Sequence, residues 1–171
     1  MTNIIIVMGV SGCGKSSVAQ ALAHEVGAEY IDADDYHPAT NIDKMQRGVP
    51  LTDLDRASWL AVISSLLKAR SANKRRIILA CSALKESYRR NLRVSPGVQF
   101  LYLQGSFEVI KARLLARPRH FMKVEMLESQ FQTLEEPEYG PGTDCWTADV
   151  TLPIETIVDR AVDHFELRRN P

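Results

Sequence analysis

Cysteine is scarce in this chain: Cys13, Cys81 and Cys145 are the only three in 171 residues. They are odd in number, far apart and without C-x-x-C spacing. That pattern fits neither a disulfide framework nor a zinc site and suits a reducing compartment. Long hydrophobic runs are missing as well. The stretch IIIVM, Ile4 to Met8, falls far short of the roughly 20 apolar residues that cross a bilayer. No charged segment precedes it, so neither a membrane span nor a signal peptide is expected, and the expected location is cytoplasmic. Net charge is absent too. Lys plus Arg is 21 and Asp plus Glu is 21, a formal charge of +0. Such a balance argues against broad electrostatic capture of nucleic acid or an acidic membrane surface. There is no internal repeat, low-complexity tract or interdomain linker, and the length is that of one domain, residues 1–171.

What remains is an ordinary globular composition, 45% hydrophobic and 25% charged, arranged as short apolar runs alternating with helical periods. NIIIVMG reads as a buried strand, followed by a helix from Lys15 to Val26 with an apolar face, stopped by Gly27. EYIDAD reads as a second strand. Thr52 caps a helix running through Trp59, Ile63 and Leu67, with Asp53 and Asp55 in its first turn, where negative charge is favoured. RRIILACSA, VQFLYLQG and ADVTLP read as three more strands. Ser106 opens a helix that Pro118 limits, MLESQFQTL forms another, and Pro153 starts the last. PEYGPGTDC between them reads as a turn-rich surface loop. Strands alternating with helices predict an α/β fold with a parallel sheet covered on both faces.

One motif is specific. GVSGCGKS, Gly9 to Ser16, matches G-x-x-x-x-G-K-[ST] between a strand and a helix, the context a phosphate loop requires. Gly9, Gly12 and Gly14 let backbone N–H groups turn inward on phosphate oxygens. Ser11, Cys13 and Ser17 complete the cradle, and the helix dipole adds to it. Lys15 neutralises β and γ oxygens, and Ser16 offers a hydroxyl to Mg²⁺. A dinucleotide fingerprint would need glycine at position 17, which is Ser17. The expected donor is therefore ATP. Cys13 itself reads as a small residue without a chemical role.

A phosphate loop alone does not separate a kinase from a switch, a motor or a nucleotide-gated binder, so the acceptor side decides. Asp32 and Asp34 end the second strand, and strand alternation would put both on one face, toward the phosphates. One carboxylate can hold a metal-bound water and the other can take a proton from an attacking hydroxyl. Asp35 reads as a solvated acid. His37 either contacts substrate or caps the turn before Pro38. In CSALK, Ser82 and Lys85 stand at a strand end, fit to bond hydroxyls or a carboxylate, with Arg89 one helical turn further on. Arg90 and Arg93 read as a solvated helix face, and Cys81 as a packed small residue. RLLARPRHF gathers Arg113, Arg117, Arg119 and His120 near a proline break, where a closing segment could exclude water and stabilise transferring charge.

Taken together, MGVSGCGKS, DADDYHP, NIDKM, GVPLTDLDR with Trp59, CSALK with Tyr88 and Arg89, LYLQG, RLLARPRHFM and LESQFQTLEEP resemble the gluconokinase family. That family is a branch of the small P-loop kinases related to shikimate and nucleoside monophosphate kinases. The resemblance runs from about residue 6 to residue 137, and its selective parts are DADDYHP, CSALK and QFQTLEEP. It implies transfer of the ATP γ-phosphoryl group to the 6-hydroxyl of D-gluconate. It also implies a three-layer fold on a five-stranded parallel sheet, a helical acceptor region at about 34–60 and a lid at about 113–130. Asp32 matches a Mg²⁺-water position and Asp34 a substrate-hydroxyl position. Arg56 and Lys85 become candidates for the gluconate carboxylate. His37, Ser82, Arg89, His120 and Gln130 become candidates for other contacts to gluconate, Arg117 for a lid clamp on the phosphates, and Arg113 for the adenine. The family commonly forms homodimers. A shikimate acceptor would need a glycine-rich pair after the third strand, and a nucleotide acceptor an Asp there; CSALK has neither. A non-enzymatic ATP switch would keep its output in an Asp34→Asn variant.

Overall fold

The computed structural model describes residues 4–117 and 124–167. Five parallel strands form one sheet in the order β2-β3-β1-β4-β5. They are β1 (Ile4–Met8), β2 (Glu29–Asp32), β3 (Ile77–Ala80), β4 (Val98–Gln104) and β5 (Cys145–Asp149). All five residues of β1 are fully buried. A central strand dry on both faces needs cover on both, which is why its sequence is a continuous apolar run rather than an alternation. The helices supply that cover: α1 (Lys15–Val26), α2 (Ala39–Gln46), α3 (Asp53–Ala72), α4 (Glu86–Leu92), α5 (Phe107–Leu115), α6 (Val124–Thr133) and α7 (Ile154–His164). α1 packs against α7, α3 against α4, and α5 against α6.

Local signals explain most boundaries. Gly27 ends α1 in the left-handed region at φ 61°. Thr52 and Asp55 form a reciprocal capping box at the start of α3, and the Ser106 hydroxyl accepts the Val109 N–H at the start of α5. Pro153 precedes α7 as expected.

Three strands differ from the sequence expectation, and of these β3 ends at Ala80, short of the Cys81 to Ala83 expected in it. β2 stops at Asp32, because the Asp32 carboxylate accepts the Asp34 N–H (2.9 Å) and caps a 3-10 turn over Ala33–Tyr36. Strand alternation therefore does not place Asp34; the turn does. β5 begins at Cys145 instead of Ala148, inside the stretch read as a loop. It pairs with β4 from Phe100↔Cys145 to Gln104↔Asp149. It ends where the Asp149 carboxylate accepts both the N–H and the hydroxyl of Thr151, a local turn that competes with strand extension. Two short helices, α2 and α4, have too few apolar positions to announce themselves.

Candidate active site

Parallel α/β sheets gather their ligand groups beyond the carboxyl ends of the strands, and the site builds up there. The phosphate loop leaves β1 through Gly9 at φ 145°. A Cβ on Gly9 would lie 2.8 Å from Cys13 Sγ and 2.9 Å from the Leu103 carbonyl oxygen, so only glycine fits. Gly14, at φ 96°, leads into α1. No side chain caps that helix and no acid occupies its first turn, which leaves its N-terminus to an anionic ligand. Cys13 is buried and contributes backbone, not thiol, to the loop. Lys15 Nζ donates to the Val10 carbonyl at 3.0 Å and so lies along the loop it serves.

Three clefts meet at this loop. The first is lined by Ser11, Gly12, Gly14, Lys15, Ser16, Ser17, Asp34 and Arg117. A second, narrower cleft also contains Ser11, Lys15 and Asp34, and continues through His37, Arg56, Ser82 and Gln130. Lys15 and Asp34 thus stand at the junction of a phosphate site and a neighbouring cleft rich in polar groups. The third, of about 510 Å³, has Arg113 and Arg117 on one side and Val150 to Ile154 on the other. Arg113 donates to the Val150 carbonyl there. Arg117 borders both the phosphate cleft and this third one, a suitable place for a clamp between a nucleobase and its phosphates.

Asp32 is a well-bonded carboxylate. Oδ2 accepts from the Ser16 hydroxyl at 3.3 Å and from the Tyr30 hydroxyl at 3.2 Å, and Oδ1 accepts from the Asp34 N–H. One hydroxyl and one carboxylate side by side next to a phosphate cradle fit Mg²⁺, which takes one or two carboxylates plus phosphate oxygens and water. Asp34 differs. Its side chain is 74% exposed, and the desolvation that pushes its carboxyl up is outweighed by polar contact with His37 and the charge of Lys15, which hold it below the usual carboxylate range. It is therefore ionised at neutral pH.

The structure sorts the other candidates. His37, Ser82, Arg56 and Gln130 share the second cleft. Arg56 is held by the Leu51 carbonyl (2.9 Å) and the Tyr88 hydroxyl (3.3 Å). Gln130 reaches across from α6 to accept the Ser11 N–H at 2.6 Å. Lys85 and Arg89 are not among the residues lining the cleft. Lys85 donates to both carboxylate oxygens of Asp53 (3.0 and 3.1 Å), and Tyr88 bonds the same acid. Arg89 is 1% exposed and is spent on the carbonyls of Ala83 and Glu135 and on the Glu86 carboxylate. It holds the turn after β3 and does not reach the acceptor. Arg93, expected to be solvated, bonds Asp144 and Glu86 and lies over the Phe100 ring. Cys81 is buried, and burial pushes its thiol up to about 12, which makes it inert. His120 and Arg119 lie outside the described residues.

Three contributors were not assigned to the site from the sequence. Tyr30 bonds Asp32 from within β2. Trp59 stacks on His37 at 4.1 Å and lines the cleft as well as the core. Asn41 is 2% exposed and sits behind His37. No local spacing signals it, because His37 lies before the Pro38 cap of α2 and the second partner of Asn41 is the Asp55 carbonyl of α3.

Residues 4–137 match a family model described as an AAA domain. The chain is 43% identical over 162 residues to the thermoresistant gluconokinase of Escherichia coli K12, covering 94% of this chain and 92% of that one. Among solved structures it is similar to an unliganded sugar kinase from Janibacter, at TM-score 0.91 and 42% identity over 98% of this chain and 96% of the other. It is also similar to a gluconokinase from Sinorhizobium meliloti 1021, at TM-score 0.86 and 42% identity over 96% and 91%.

Proposed function

The chain belongs to the gluconokinase family, and from that membership we infer that it transfers the γ-phosphoryl group of ATP to the 6-hydroxyl of D-gluconate. The observation that carries this reading is the junction of two clefts at Lys15 and Asp34, one built for phosphate and one for a small polar acceptor.

The residues divide the work. The hydroxyl oxygen bonds to the γ-phosphorus as the bond to the β–γ bridging oxygen breaks, ADP keeps that electron pair, and Asp34 takes the hydroxyl proton. Lys15 and Arg117 balance charge on the moving group. Ser16 and Asp32 are suited to hold Mg²⁺, which when bound neutralises charge between the β- and γ-phosphates. Arg56 offers a planar fork to the gluconate carboxylate, and His37, Ser82 and Gln130 face its hydroxyls. Lys85 stays with Asp53 in this arrangement. Arg113 borders the adenine cleft. On this reading residues 9–16 hold phosphate, about 34–60 hold the acceptor and about 113–130 form the lid of one kinase domain.

The reading extends to a homodimer, supported by exposed Leu54 (83%) and Val62 (47%) on α3 and testable by sedimentation velocity. It extends also to the cytoplasm, supported by three free cysteines. The direct test is ATP consumption against gluconate, other sugar acids, shikimate and nucleoside monophosphates. Stimulation by gluconate is expected. Indifference to gluconate with strong stimulation by shikimate would sink the substrate assignment.

A further inference from the structure

His37 stands between the acceptor cleft and a buried asparagine, and the hydrogen bonds behind it fix its chemistry. Asn41 Nδ2 lies 2.9 Å from the Asp55 carbonyl oxygen. A carbonyl only accepts, so the atom facing it is the amide nitrogen and not the amide oxygen. The same Nδ2 lies 3.3 Å from His37 Nδ1. An NH₂ group has two donors and no acceptor, so Nδ1 must present its lone pair. The proton of the neutral ring is thereby confined to Nε2. Nε2 faces Asp34 Oδ1 at 3.6 Å. That is longer than a hydrogen bond, and catalytic contacts commonly shorten only when the substrate is bound.

Rotation of the ring is blocked as well. Trp59 stacks on it at 4.1 Å with the planes 16° apart, and the Trp59 Nε1–H is anchored on the Ala33 carbonyl at 2.7 Å. The charged groups that share the cleft with His37 are Asp34 from the turn, Lys15 from the phosphate loop and Arg56 from α3.

We propose that Asn41 is a positioning residue that locks His37 as an Nε2–H donor toward Asp34 and the acceptor hydroxyl. His37 is then unable to act as the base, because its lone pair is committed to Asn41. Its Nε2–H keeps one Asp34 oxygen turned toward the histidine and leaves the other free for the hydroxyl proton. This rests on Asp34 being the proton acceptor of the kinase reaction.

The test begins with the full-length wild-type protein labelled with ¹⁵N. Long-range proton–nitrogen correlation spectra of the neutral His37 ring are expected to show a protonated Nε2 and an unprotonated Nδ1. The opposite tautomer would overturn the proposal with no substitution needed. In Asn41→Asp, whose oxygens only accept, Nδ1 is expected to become protonated, and at a pH where the ring is neutral its single proton lies there and Nε2 has none. kcat with gluconate should then fall about tenfold or more through loss of a charge-assisted donor, with KM for ATP unchanged. A loss of folded protein would also lower kcat at unchanged KM, but it would leave the tautomer of the folded molecules as it is in wild type, so the tautomer decides between the two. An Asn41→Asp enzyme with unchanged tautomer and unchanged kcat would also overturn the proposal. A wild-type enzyme inert toward gluconate but showing the Nε2–H ring would overturn the substrate reading and support the lock.

Discussion

Gln130 Oε1 accepts the backbone N–H of Ser11 at 2.6 Å, joining α6 to the phosphate loop across 119 residues of chain. The carboxamide oxygen is used on the loop, so its NH₂ group is the part left for the acceptor cleft that Gln130 lines. The contact ties α6 to the phosphate loop at Ser11. Gln130→Leu removes both functions while keeping bulk. A lost hydrogen bond of about 1.4 kcal/mol predicts about a tenfold fall in kcat/KM for gluconate. Steady-state kinetics, with helix content checked by far-ultraviolet circular dichroism, measures it; an unchanged kcat/KM would remove Gln130 from the site.

Asp34→Asn keeps the shape of the side chain and removes the carboxylate proposed to take the hydroxyl proton. The expected loss in kcat is about 10²- to 10⁴-fold, with ATP binding by calorimetry close to wild type. The pH dependence follows from the sign of the shift. Asp34 is held below the usual carboxylate range, so the active, ionised form persists as pH falls. kcat/KM should stay flat from neutrality to below about pH 4 and drop only as pH passes through the lowered value. Nearly wild-type turnover in Asp34→Asn would exclude it as the base.

How much of this was legible in the sequence depended on how local each signal is. The strand–loop–helix setting of Gly9 to Ser16, α1 with its Gly27 stop and the Thr52 cap of α3 are written in contiguous residues, and all three are found as expected. The end of β2 was not, because EYIDAD alternates well enough to continue; the Asp32 cap on Asp34 N–H decides it. Arg89 and Lys85 were the harder pair. Both are basic residues near a strand end, and their sequence cannot say that Glu86, Ala83 and Glu135 surround one while Asp53 claims the other. Partners distant in the chain override the local pattern, and Asn41 escaped notice for the same reason, since its role depends on a carbonyl in α3.

Asp32 and Ser16 form the candidate Mg²⁺ pair, 3.3 Å apart. Chelation of divalent ions is expected to abolish phosphoryl transfer. Asp32→Asn should raise the Mg²⁺ concentration needed for half-maximal activity at saturating ATP, because a neutral amide is a poorer partner for a hard cation and its water. A titration of activity against Mg²⁺ checks this, and an unchanged midpoint would show that Asp32 does not serve the metal.

Asp55 closes the capping box of α3 and bonds Lys44 through both oxygens, at 2.9 and 2.8 Å. The Lys44 ammonium first, then the Thr52 N–H, draws its carboxyl down to about 2 from 3.8. A lowered folded-state value stabilises the fold above the unfolded one, and that stability is lost as pH falls from about 4 to about 2. Urea midpoints measured across that window should fall less steeply in Asp55→Asn than in wild type, while at neutral pH the variant should be the less stable of the two. Parallel curves would show that the Lys44 pair contributes nothing to acid sensitivity.

Arg89 is the residue whose loss should cost most outside the site. It donates to the Ala83 carbonyl at 2.8 Å, to the Glu135 carbonyl at 2.9 Å and to Glu86 at 3.1 Å while 1% exposed. Ala83 adopts φ 47°, a left-handed conformation that a non-glycine residue holds only when its surroundings impose it. The Leu84 carbonyl takes the Glu135 N–H at 2.8 Å, so the guanidinium pins the turn after Ser82 to the segment leaving α6. Arg89→Lys keeps the charge, but a compact ammonium on a flexible stem does not reproduce the planar fork that reaches three acceptors on two segments. The expected loss is about 3 kcal/mol, the cost of a buried charged group with partners left unmet, read from chemical denaturation. A change under about 0.5 kcal/mol, the range of ordinary surface substitutions, would mean that the turn is held by its backbone alone.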